Sequence, residues 1–165
     1  MTVVLPHLSV LVLGIGNLVM GDDAVGVLVA QRLQHEYRFA DNVEIMDGGT
    51  LGLDLLPKLE NITHLIMIDA VETGKKPGTC VRLCGGELPI ALQTKVSPHQ
   101  MGLKDLLAVS ELMGHTPKEM VLIGVQPGSI EMEIGLTAEV QAQLDALVSG
   151  VLSELAAWGI AAVPL

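Results

Sequence analysis

Residues 8–26 read LSVLVLGIGNLVMGDDAVG. The run Leu8 to Leu13 is apolar and carries β-branched valine, so it reads as a buried strand. Glycines come next at once. From Ala24 the segment AVGVLVAQRLQHEY then places Val25, Leu28, Val29 and Leu33 at i, i+3, i+4 and i+8, the spacing of one helix face. A strand, a glycine-rich turn and a helix in direct succession make one strand-to-helix unit.

The same alternation recurs along the chain. Further strands are expected at Val43 to Met46, His64 to Ile68, Thr79 to Leu83 and Met120 to Val125. Between them lie a short helix from Leu51 to Leu59, stopped or bent by Pro57, and a longer one from Gly102 to Met113. A last helix begins after Thr137, which is placed as its N-cap with Glu139 in the first turn. VETGKKPG is a turn-rich connector, the TCVRLC run after it fits an edge strand, and Gly85, Gly86 and Pro89 open an irregular stretch. Apolar strands alternating with amphipathic helices predict an α/β fold: a three-layer sandwich, mostly parallel and twisted, with about five strands and helices on both faces. No repeat, low-complexity tract or linker divides the chain, so residues 1–165 are expected to form one domain.

Composition excludes several functional classes. Nineteen acidic against nine basic residues give a formal net charge of −10, which disfavours nucleic acid and anionic membrane surfaces as partners. Tyr37, Phe39 and Trp158 are the only aromatics of the Phe, Tyr and Trp class, too few for a base-stacking platform. The apolar N-terminus resembles a signal peptide, but no Lys or Arg precedes Arg32, and Pro6, Asn17 and the glycines interrupt it. A buried first strand and a cytoplasmic protein are expected. No apolar stretch approaches the roughly 20 residues of a membrane span. Cys80 and Cys84 would stand about 13 Å apart on an extended strand, too far for a disulfide, and read as two small core residues on one strand face.

Ligands of open α/β sheets sit beyond the carboxyl ends of the strands. Here those ends deliver Gly14 to Asp23, then Asp47-Gly48-Gly49-Thr50, then Asp69-Ala70, an acidic rim. From Gly16 the spacing GNLVMG matches the GxxxxG of a phosphate-binding loop, but Asp22 and Asp23 stand where Lys and Ser or Thr are needed. The dinucleotide fingerprint fails as well, because the third glycine falls at position 21 instead of 19. A divalent cation reverses the electrostatics, since it turns mutually repelling carboxylates into ligands. His99 in KVSPHQMG is the candidate imidazole. Asp22 or Asp23 also suits the N-cap of the helix near Ala24, and Asp47 in DGG suits a turn. Asp69, ending a buried strand, requires compensation for its charge. His7, His35, His64 and His115 read as surface or boundary residues.

The segments VLGIGNLVMGDDAVG, VEIMDGGTLGLDLL, HLIMIDAV, PGT, KVSPHQMGLKDLL and VLIGVQPGSIEMEIGLT occur in this order along nearly the whole chain. In this it resembles the NiFe-hydrogenase maturation endopeptidases. The resemblance implies an endopeptidase that removes the C-terminal extension of a hydrogenase large-subunit precursor after nickel insertion. It implies Asp23, Asp69 and His99 as the metal-contacting and catalytic residues, with Asp47 as a possible accessory. The cofactor implied is nickel supplied by the substrate, in whose place other divalent cations can sit in vitro. The implied partner is the large-subunit precursor. The alternative is a maturation chaperone that holds nickel or the large subunit without cutting.

Overall fold

The computed structural model describes residues 7–85, 87, 88 and 101–165. Its main sheet has five strands: β1 (Val10–Ile15), β3 (Val43–Gly49), β4 (His64–Ala70), β5 (Cys80–Cys84) and β6 (Glu119–Val125). They lie in the order β3-β1-β4-β6-β5. The first four are mutually parallel and β5 runs antiparallel to β6 at the edge. The predicted α/β architecture and all five predicted strands are present. Their observed ends differ by a few residues, and β3 continues through Asp47 to Gly49.

Strand character reflects burial. Every residue of β1 is buried, as is every residue of β4 after its half-buried first one. Such strands are covered on both faces, which explains runs of Val, Leu and Ile in place of alternation with polar residues. Val10, Val12, Ile66, Ile68, Val121 and Ile123 join one core with α1 (Val25–Glu36) and the C-terminal helix. Leu11, Leu13, Leu65, Met67 and Leu122 join the other, with Leu55, Leu59 and Leu106. Each fully buried aliphatic side chain contributes roughly 1.5–3 kcal/mol. The two sets alternate along each strand, as the two-residue side-chain period requires.

α1 buries Val25, Val29 and Leu33 as its spacing predicts, and also Val27 and Ala30, whereas Leu28, expected on the same face, is only half-buried. The segment after β3 departs from expectation. A 3-10 turn, Gly52–Leu55, precedes a single α turn, α2 (Leu56–Leu59). Pro57 lies in the first turn of α2 and so begins that turn instead of ending the segment, because first-turn N–H groups have no helical acceptor. α3 (Met101–Leu112) leads toward β6. α4 (Ala138–Gln141) and α5 (Leu144–Ala157) come after β6 and close the α1 side.

A two-stranded antiparallel pair, β2 (Tyr37–Arg38) with β7 (Val163–Pro164), lies outside the sequence expectation. Cys80 is exposed and Cys84 half-buried, and both thiols are free. Cys80 is therefore not a core residue, whereas Cys84 packs against the core on the α1 side. As an edge strand β5 has a solvent-facing side, and its Arg82 pairs with Glu154 of α5. No helix among the described residues is long and apolar enough to cross a membrane.

Candidate functional site

The sheet register aligns the carboxyl ends of β3, β1 and β4. Gly14 pairs with Asp47 on one side and with Ile68, the residue before Asp69, on the other. Because neighbours in register share a face and successive residues alternate, Asp47 belongs to the α1 face and Asp69 to the α3 face. Contacts agree with this: Gln31 of α1 donates to Asp47 Oδ2 at 3.3 Å, while Met67 and Val71, two residues either side of Asp69, lie in the core that contains Leu106 of α3.

Asp69 is 0% exposed and Asp23 is 1% exposed. Asp23 sits in the 3-10 turn Gly21–Ala24, which packs against β4. Its Oδ2 accepts a hydrogen bond from the Asn17 amide at 3.1 Å. The glycines make this close approach possible. Gly16 has φ +145°, and a Cβ there would stand 1.8 Å from the Asp23 carbonyl oxygen. At Gly26 a Cβ would lie 2.1 Å from Ile68 O and 2.4 Å from Ile15 O, so the first turn of α1 rests on the ends of both strands. Their role is to seat backbone against backbone, which brings the turn carrying Asp23 onto the strand that carries Asp69.

Asp47 differs from both. It is exposed, and its Oδ1 accepts from the Gly49 amide at 3.0 Å, the local turn bond expected of an Asp before two glycines. His99, the third expected member of the cation site, lies outside the described residues. Among the described residues no three His, Cys, Asp or Glu side chains are grouped closely enough to hold a metal ion.

Two residues depart from the roles their local sequence suggests. Asp22 does not cap α1; it lies inside the preceding 3-10 turn, and Ala24 occupies the N-cap without a side-chain bond. Its carboxylate is 0% exposed and reaches across the sheet end. It accepts from Gly128 N at 2.7 Å, Ser129 N at 3.1 Å, Thr137 N at 2.8 Å and Thr137 Oγ1 at 2.8 Å. A buried carboxylate with four donors is better satisfied than one capping an exposed helix end. Thr137 does occupy the N-cap of α4, but its hydroxyl serves Asp22 and makes no capping bond.

The loop that meets Asp22 is bound to the β1 loop along its length. Gly21 N donates to Glu133 O, Asp22 N to Ser129 O and Glu133 N to Val19 O, at 2.8, 2.8 and 3.0 Å. Leu18 and Val19 on one loop, and Met132 and Ile134 on the other, are exposed large apolar side chains. Gln126, 4% exposed, organises the neighbouring connector by accepting from Thr73 N and Oγ1 and donating to Glu72. Neither Gln126 nor the Asp22 network is visible as a local sequence pattern, since each joins segments more than 50 residues apart.

The HycI family model, described as hydrogenase maturation protease, matches residues 27–154. The Hydrogenase 2 maturation protease of Escherichia coli strain K12 is 42% identical over 158 residues, covering 95% of this chain and 96% of that protein. The HupD hydrogenase expression/formation protein of Rhodobacter capsulatus is also 42% identical, over 92% of this chain and 73% of its own length. Among solved structures, the hydrogenase maturating endopeptidase HybD from E. coli superposes with a TM-score of 0.91 at 41% identity, covering 95% of this chain and 98% of that one. The NiFe-hydrogenase maturation protease HybD from Thermococcus kodakarensis gives 0.69 at 27% identity, covering 87% and 97%.

Proposed function

Because the chain belongs to the hydrogenase maturation protease family, we propose that it removes the C-terminal extension of a NiFe-hydrogenase large-subunit precursor and reads the inserted nickel through Asp23, Asp69 and His99. The observation that carries this reading is the burial of two carboxylates, Asp23 and Asp69, at the carboxyl end of the central parallel strands. The 3-10 turn that carries Asp23 packs on β4, which carries Asp69, and a divalent cation turns neighbouring carboxylates into ligands. Carboxylate and imidazole donors suit a first-row divalent ion. Three protein ligands leave positions open for donors of the client, as an ion delivered by the client requires.

A client protein, as against a small molecule, is supported by the exposed Leu18, Val19, Met132 and Ile134 on the hydrogen-bonded loops beside Asp23. A cavity of about 140 Å³ lies along the same seam, lined by Gly21, Ser129, Ile134 and Thr137 among others. Asp23 and Asp69 offer carboxylate oxygens to a cationic centre, and the glycine-packed turn keeps Asp23 from relaxing away. When bound in the client, the nickel supplies an electrophilic centre for those oxygens. Purified large-subunit precursor loaded with nickel tests the site: Asp23→Asn, Asp69→Asn and His99→Ala should each lower cleavage at least about 100-fold, the scale of loss when a reacting group is misplaced. Wild-type cleavage rates in any of the three would remove that residue from the site.

A further inference from the structure

We infer that Asp22 is a positioning residue for the proposed reaction: by binding the 128–137 loop it fixes the turn on which Asp23 is carried. The inference rests on the proposed role of Asp23 in the site. Asp22 and Asp23 are neighbours in one four-residue turn, Gly21–Ala24, and both are buried. Asp23 holds its own loop through Asn17 N, while Asp22 holds a different segment more than 100 residues away. One turn is thus anchored on two sides.

The contacts at Asp22 leave little freedom. Both carboxylate oxygens accept hydrogen bonds: Oδ1 takes Thr137 N, and Oδ2 takes Gly128 N, Ser129 N and Thr137 Oγ1. The Asp22 amide returns a bond to Ser129 O, so the turn and the loop are joined through both backbone and side chain. Glycines on both segments allow the approach. A Cβ on Gly21 would meet Ser129 O at 2.7 Å, and one on Gly128 would stand 3.1 Å from Thr137 Oγ1 and 3.4 Å from Asp22 Oδ2. An acceptor-only group is needed at this point, because all four partners are donors. Asparagine turned to keep an oxygen at the Oδ2 position would set its NH₂ against the Thr137 N–H, and turned the other way against the Gly128 and Ser129 N–H groups.

The test uses the full-length enzyme and nickel-loaded precursor, with kcat and KM measured separately and melting temperature followed in parallel. Asp22→Asn should lower kcat about 100-fold, the effect of displacing a reacting group by about 1 Å. Thr137→Val keeps the shape of the side chain but removes the hydroxyl donor, and should lower kcat about 10-fold, the lower end of losses from partners that orient a ligand. Thr137→Ser restores the donor while losing the methyl group, so kcat should return although packing does not. A purely structural role predicts the opposite rank, with activity tracking melting temperature and Ser no better than Val. That rank, or a folded Asp22→Asn enzyme with unchanged kcat, overturns the inference. If Asp22→Asn does not fold, the Thr137 pair decides. Asp23→Asn separates the two levels: full activity there removes the site itself, whereas inactivity there with an active Asp22→Asn removes only the positioning role.

Discussion

The loop after β1 and the last residues of β3 lie side by side, with Gly16 N donating to Gly49 O at 3.0 Å, yet they treat their aspartates in opposite ways. The first buries Asp22 and Asp23 completely or nearly so; the second leaves Asp47 in solvent. Glycines in the first loop are fixed by collisions with backbone. In the second, Gly48 meets a side chain, Leu13 Cδ1 at 2.7 Å, and Gly49 is looser still, with Asp47 Oδ1 the nearest atom to an added Cβ at 3.7 Å. The difference teaches that DGG and GDD are unlike motifs despite their similar composition. One is a turn whose carboxylate bonds its own backbone, and the other brings two carboxylates into the interior where they must be matched by donors or by a cation.

Substitutions in and beside these two segments should separate them sharply. The largest effect is expected at Gly26→Ala in the first turn of α1, where a methyl group meets two strand carbonyls inside 2.5 Å; it should destabilise the protein by about 3 kcal/mol, the upper end of ordinary overpacking, read from the urea midpoint. Gly49→Ala, with space but a φ of +49°, should cost only about 1–2 kcal/mol in the same measurement, the ordinary penalty of the left-handed conformation. A similar cost at both positions would erase the distinction between the two segments. Asp47→Asn should stay within about 0.5 kcal/mol of wild type, since an exposed asparagine keeps an oxygen for the Gly49 amide.

The smallest effect concerns the opposite end of the sheet. His64, the first residue of β4, lies edge-on to Trp158 with ring centroids 4.7 Å apart. Burial lowers its pKa from the ordinary 6.5; Lys118 pushes it the same way, and Glu119 opposes both. The unfolded chain therefore takes up this proton first as pH falls. The associated stability is present above pH 6.5 and is lost as pH falls through the lower folded value. A pH series of melting temperatures should show this decline in wild type and a smaller one in His64→Gln. Equal slopes would remove His64 as its source.

Much of the fold is legible because burial on both faces writes itself as unbroken aliphatic runs. Val10 to Leu13 and Leu65 to Ile68 could not be loops, and the helix after Ala24 is announced by Val25, Val29 and Leu33. The direction of β5 is not legible, since a strand pairs either way and the connector VETGKKPG does not encode which. The β2–β7 pair escapes because two-residue strands carry no period. At the candidate site, the pattern places Asp23, Asp47 and Asp69 at strand ends. Their unequal burial is hidden from it, because burial depends on the α1 face and on loops distant in sequence. The role of Asp22 is hidden for the same reason. Local rules make it a helix cap, and four donors from residues 128–137 outweigh that local choice.

If the buried carboxylates read a cation carried by the client, cleavage must depend on the metal content of the client. The most direct measurement is cleavage by the wild-type enzyme of one precursor preparation divided into nickel-loaded and nickel-free halves, monitored by release of the C-terminal peptide. Release is expected from the loaded half alone, and should be lost in Asp69→Asn. Equal release from both halves would contradict the reading of nickel by Asp23, Asp69 and His99.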